Sequence, residues 1–173
     1  GGGSTVNIVV DLLVVYTTAA LNAQGCFDAM MNLINLSVFQ TNIALSNSKT
    51  GVRVRLVETD HASDIVEPAG TRVDLQMLQL LENSSAMNLQ SRVGADLVGL
   101  ICGTQNCVGR ASNIGLLEYG EKPGMFVTNN FRSALIGDYT FAHEIGHTLV
   151  SFRIFSFVYY KLLLKTNSLF SLL

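Results

Sequence analysis

The chain has 173 residues, carries a formal charge of −2 and is only 14% charged, below the usual quarter of a globular protein. That length suits one domain with its own core. No basic stripe or Lys/Arg run exists to hold nucleic acid, so nucleic acid is excluded as an expected partner.

The first five residues, in "GGGSTVNIVV", read as a flexible lead-in, and without an initiator Met the chain is expected to be a processed product or a fragment. Val6 to Thr17, rich in Val and Leu, predicts a buried strand. Apolar residues at Phe27, Met31, Ile34, Val38 and Leu45 recur near helical spacing and predict one long helix from Cys26 to Leu45. "SNSKTG" ends it with turn chemistry. "VRVRLVETD" alternates Val52, Val54 and Leu56 with Arg53, Arg55 and Val57, the pattern of a half-exposed strand. A loop with Pro68 and Gly70 leads to a helix expected around Val73 to Glu82.

Ala95 to Gly103 predicts a second buried strand, with a short extended piece near Ala111 to Ile114 and another strand from Met125 to Asn130. A helix follows near Asp138. The order β-α-β-α-β-β-β-α indicates an α/β domain with a mixed sheet. Among the three cysteines, Cys102 and Cys107 in "CGTQNC" are close enough to bridge a small loop, with reduced thiols as the alternative; Cys26 has no obvious partner. The sequon matches at Asn35 and Asn83 carry little weight on their own.

The chemistry concentrates in "TFAHEIGHTL". His143 and His147, four apart, share one face of a helix, close enough for both imidazoles to hold one ion. Glu144 lies beside them, where a carboxylate can take a proton from a metal-bound water. Phe141, Ile145 and Leu149 form an apolar face roughly opposite, which lets the helix bury one side and open the other to a cleft.

This stretch resembles the active-site helix of metzincin zinc peptidases. "VDLLVVYTTAAL" is similar to the first strand of reprolysin-like members, especially the peptidyl-Asp metalloendopeptidase group, "GADLVGLICG" to their third strand, and "CVGRASNIG" to the upper edge strand of their cleft. The resemblance covers about residues 6 to 149. It implies a zincin-like upper subdomain with a twisted, mixed, mostly parallel five-stranded sheet and two long helices, and a secreted zinc endopeptidase that hydrolyses peptide bonds by metal-activated water. His143 and His147 would be the Zn²⁺ ligands and Glu144 the general base. Ala111, Ser112, Asn113 and Ile114 would pair with an extended protein or peptide substrate.

The family motif HExxHxxGxxH breaks after its second His. Val150 stands at the Gly position and Arg153 at the third His, and no Met follows Met125 to form the family's Met-turn. Val is poor at a turn needing positive φ, and a guanidinium cannot replace a neutral imidazole. The lower subdomain is therefore expected to be missing and this chain to be inactive or very weak. The alternative is a non-catalytic isoform that binds peptides or competes with the full enzyme. The only other histidine, His61, reads as a loop residue rather than a third ligand.

Residues 150–173 hold six of the nine Phe and five Tyr of the whole chain and contain no Asp, Glu, His, Cys, Gly, Ala or Pro. Three readings stay open for this tail. It is a membrane segment, although Arg153 and Lys161 interrupt it. It is a buried extra element. Or it is translated intron, since Val150-Ser151 is a dipeptide that GTA-AGT would encode, and that hexamer is also a splice-donor sequence.

Overall fold

A computed structural model describes residues 8–68, 79–80, 82–103, 109–111, 124–129 and 139–150. Five strands form one sheet: β1 (Ile8–Tyr16), β2 (Val52–His61), β3 (Leu97–Cys102), β4 (Gly109–Ala111) and β5 (Met125–Asn129), in the order β2-β1-β3-β5-β4. β1 pairs parallel with β2 and β3, and β3 parallel with β5. β4 alone runs antiparallel, on β5, at the edge. The helices are α1 (Thr18–Gln24), α2 (Phe27–Asn47), α3 (Ser84–Val93) and α4 (Thr140–Val150). The expected mixed, mostly parallel five-stranded sheet is the one found.

β1 has strands on both sides and apolar layers on both faces, which is why its sequence reads as an unbroken apolar run. Leu12, Val14 and Tyr16 point into one core with Met30, Ile34 and Leu45 of α2 and Phe141, Ile145 and Leu149 of α4. Leu13 and Val15 point into a second core with Ala86, Met87 and Leu89 of α3. β3 divides in the same way, Leu97 and Ile101 to the first core and Val98, Leu100 and Cys102 to the second. The sheet is thus covered by α2 and α4 on one face and by α3 on the other.

Asp11 interrupts β1 for a local reason. Its carboxylate receives Arg55 Nε and Nη2 at 2.7 and 2.6 Å from the register partner on β2. The β3 ladder begins only at Leu12, so the Asp11 amide is satisfied by Asp96 Oδ2 at 2.8 Å instead.

Several elements differ from the sequence reading. The first strand spans Ile8–Tyr16, and "TAALNAQ" after it is a helix: Thr17 caps α1 by accepting the Ala20 amide at 3.0 Å, and Gly25 closes it at φ 86°. That helix is too short for periodicity to reveal, and its signals are the two caps. The predicted long helix is present as α2, shifted to Phe27–Asn47. α3 was not foreseen. Asn83 starts it by accepting the Ala86 amide at 2.7 Å, and Gly94 ends it in the left-handed region. Asn83 is buried, and its amide donates to Asp64 at 2.8 Å, so this sequon has no room for a glycan. β2 follows its predicted alternation up to a bulge: Leu12 pairs with Leu56 but Leu13 with Glu58, leaving Val57 extra.

Most of the helix predicted around Val73 to Glu82, the residues Ser112 to Ile114, Cys107 and the tail from Ser151 lie outside the described residues. The bridge between Cys102 and Cys107 falls there too; Cys102 itself is buried at the end of β3, and Cys26 is an exposed free thiol at the start of α2. No helix among the described residues is long and apolar enough to cross a membrane.

Candidate active site

α4 presents the site, and its sequence explains its orientation. Phe141 and Ile145 are fully buried and Leu149 nearly so, with Phe141 edge-on to Phe126 of β5 at 5.2 Å between ring centres. This apolar stripe pins α4 to the sheet and turns the opposite face outward, as the spacing predicted. His143 is exposed and His147 half-buried on that outer face. Their Nε2 atoms converge to 2.9 Å, with the rings near perpendicular and their centres 4.5 Å apart. Desolvation by the protein on their inner side holds both imidazoles below the ordinary histidine range, although His143 keeps an exposed side, and for His147 the proximity of His143 adds to this. Both are therefore neutral near pH 7, the form that donates a lone pair to a metal.

Glu144 is placed differently from its neighbours. Its side chain turns inward, only 6% exposed, and burial pushes its carboxyl up to about 7. A carboxylate poised near neutral pH suits a group that must both take and return a proton. The wall around it is made by the edge strand. A side chain on Gly109 of β4 would collide with Glu144: an added Cβ would stand 2.5 Å from Oε1, 2.9 Å from Cδ and 2.7 Å from Thr140 Cγ2. Gly109 pairs with Thr128 of β5, whose fully buried hydroxyl has no hydrogen-bond partner among the described residues. Phe126, two residues before Thr128 and so on the same face, packs on Phe141, so this face of β5 looks toward α4.

β4 is the outermost strand, and beyond it no further strand is paired among the described residues. Of the expected substrate-binding positions Ala111 lies in β4, with its side chain against the first core, while Ser112, Asn113 and Ile114 lie outside the described residues. The edge begins at Gly109, two residues before the predicted extended piece. Gly109 and Thr128 were not singled out from sequence. The available signal was a glycine inside an otherwise extended segment, "CVGRA", which marks a close approach of backbone to something else.

The donor set suits zinc in kind: two imidazole Nε2 atoms lie on one helix face, 2.9 Å apart and hydrogen-bonded to each other. Among the described residues no third His, Cys, Asp or Glu joins them to form a metal-holding group. His61 is not available, since it ends β2 at the opposite edge of the sheet, stacked on Tyr16 at 5.5 Å and hydrogen-bonded to Thr18 Oγ1 at 2.9 Å. α4 is still helical at Val150, where the resembled motif places its turning glycine.

A family model described as Metallo-peptidase family M12 matches residues 6–151. The chain belongs to this metallopeptidase family. Two curated relatives are both peptidyl-Asp metalloendopeptidases. The one from Pseudomonas aeruginosa is 30% identical over 149 residues, covering 81% of this chain and 24% of that protein. The one from Xanthomonas campestris pv. campestris is 27% identical over 141 residues, covering 80% of this chain and 32% of that protein. The M12 chain thus spans about a quarter to a third of their length. Among solved structures it is similar in fold to metalloproteinase-II from Bacteroides fragilis, with a TM-score of 0.54 and 16% identity over 86% of this chain and 44% of that one. It is also similar to a chain in a chaperone–substrate complex, with a TM-score of 0.64 and 20% identity over 83% of this chain and 26% of that one.

Proposed function

We propose that this chain carries the catalytic half-site of a secreted zinc endopeptidase of the reprolysin type, with His143 and His147 as zinc ligands and Glu144 as general base. The observation that carries the reading is the geometry of one helix: two imidazoles converging to 2.9 Å on its outer face, with a buried carboxyl pushed up to about 7 on the residue after the first of them. Membership of the metallopeptidase family and two endopeptidase relatives support the same reaction class. Zinc bound by these imidazoles would polarise the scissile carbonyl and make the attacking water acidic. Glu144 accepts that water's proton and returns it to the leaving amine. The exposed edge of β4 aligns an extended protein or peptide substrate by adding it as a further strand.

With Arg153 at the third ligand position, the chain by itself holds zinc loosely and turns over little or no substrate. Losing one protein ligand from a site worth about 10–16 kcal/mol weakens binding on the order of a hundredfold. That same feature favours a second reading, in which the chain binds peptides along β4 without cleaving them. Zinc titration of the chain alongside His143→Ala and His147→Ala decides the ligand assignment: binding is expected to be weak and to vanish in either variant. A protein-substrate assay with added zinc decides between the readings. Turnover at a full family rate, abolished by Glu144→Ala, overturns the claim of inactivity. Zinc retained unchanged in both histidine variants overturns the site itself.

A further inference from the structure

The catalytic reading of Glu144 leaves open what fixes its carboxylate, and two observations on the edge strand bear on this. Gly109 has the backbone of an ordinary strand residue with no positive φ, so it is not glycine for conformational reasons. What it lacks is room: an added Cβ would lie 2.5 Å from Glu144 Oε1 and 2.9 Å from Cδ, distances real Cβ atoms do not adopt. Any other residue at 109 forces either the carboxylate or the strand to move. Moving the strand would break its short antiparallel ladder on β5, in which Gly109, Arg110 and Ala111 face Thr128, Val127 and Phe126.

We propose that Gly109 is a positioning residue for Glu144: by presenting bare backbone, it lets the substrate-binding edge strand and the base carboxylate occupy adjacent space. The inference rests on the reading of Glu144 as the base, and it makes a demand on sequence that the metal ligands do not. One residue sets both the distance of the β4 edge from α4 and the direction of the carboxylate, so peptide and base share a common reference. Thr140, whose methyl lies 2.7 Å from the same added Cβ, is the other neighbour that could impose the glycine, and it supplies the internal control.

The test is a set of stability cycles on the zinc-free chain, read by urea unfolding, with a spectroscopic measurement of the carboxylate. The crowded Glu144 atoms are the end of a flexible side chain, so Gly109→Ala is expected to turn the carboxylate aside and to lower the folding equilibrium constant by up to about tenfold. In a Glu144→Ala background most of that loss is expected to disappear, whereas in a Thr140→Ser background it persists. An equal loss with and without the Glu144 side chain, or rescue by Thr140→Ser alone, overturns the proposal. The ¹³C-carboxyl resonance of Glu144, assigned by its absence in Glu144→Gln, is expected to move in Gly109→Ala. It is expected to stay in Asn83→Ala, which loosens α3 on the other face of the sheet and controls for general destabilisation. A Glu144 resonance that responds to neither, or equally to both, overturns it as well. These measurements need no metal, so failure of His143 and His147 to bind zinc would remove the proposed function while leaving this result standing.

Discussion

Glu144 sits where its charge is disfavoured. Burial pushes its carboxyl from an ordinary 4.5 up to about 7. The fold therefore holds a proton that the unfolded chain has already released, across the window from about 4.5 to about 7. Stability falls as pH rises through that window, and above it the ionised carboxylate costs about 3 kcal/mol. Glu144→Gln is expected to be more stable than the parent chain by roughly that amount at about pH 8, with chelator present, and nearly equal to it at about pH 4.5. Urea midpoints at the two pH values check this, and a constant difference would show that burial of charge is not the cause. Thr128 is the second residue of this kind, with a fully buried hydroxyl that has no partner among the described residues. Thr128→Val keeps the shape and removes the orphan group, and should raise stability by about 1–2 kcal/mol in thermal or urea unfolding. Neither cost is visible in sequence. "HEIGH" announces the chemistry of Glu144, but not that Gly109 of β4 packs against its carboxyl.

At the scale of elements, how well the sequence could be read depended on length and burial. β1 and β3 were legible because strands covered on both faces are nearly continuous apolar runs, and α4 because its apolar residues keep helical spacing. α1 and α3 were not, since both are short and are defined by their caps. For α3 the cap is also an anchor: Asn83 accepts the Ala86 amide and donates to Asp64 of the loop that follows β2. Asn83→Ala removes both, so a loss of about 1–2 kcal/mol is expected, above the usual value for a cap alone. Circular dichroism with urea titration reads the loss, and restoration by Asn83→Asp would be incomplete because a carboxylate cannot donate to Asp64. The β2 bulge was hidden for another reason. One extra residue switches which side chains face the core, and a pattern read from one strand alone carries no information about its partner's register.

At the scale of the whole molecule, the sheet and its two cores stand apart from the His143–His147 pair. The layers that hold α4 in place, Phe141 on Phe126 and Ile145 and Leu149 in the first core, are complete within the described residues. His143 and His147 take no part in them. Restoring the family pattern with Val150→Gly and Arg153→His together is therefore expected to raise zinc affinity on the order of a hundredfold while changing zinc-free stability little. Titration with zinc against a competing chelator measures the first and urea unfolding the second. Arg153→His alone is expected to gain less, because a β-branched residue at 150 resists the turn that would bring the new imidazole back to the pair. An unchanged affinity in the double variant would show that an imidazole at 153 does not join the pair.

What the sequence determined by itself is the chemistry that is local: two imidazoles and a carboxylate within five residues of one helix, since helical periodicity alone places the pair on one face. The family follows from the same stretch and the strands before it. Tertiary structure decided what depends on residues distant in the chain. It put Gly109 against Glu144, placed Thr128 opposite Gly109, and held His61 at the far edge of the sheet. The physical reason is that burial, and with it the ionisation and direction of a carboxylate, is set by whichever backbone packs closest. Here that backbone comes from a strand more than thirty residues away.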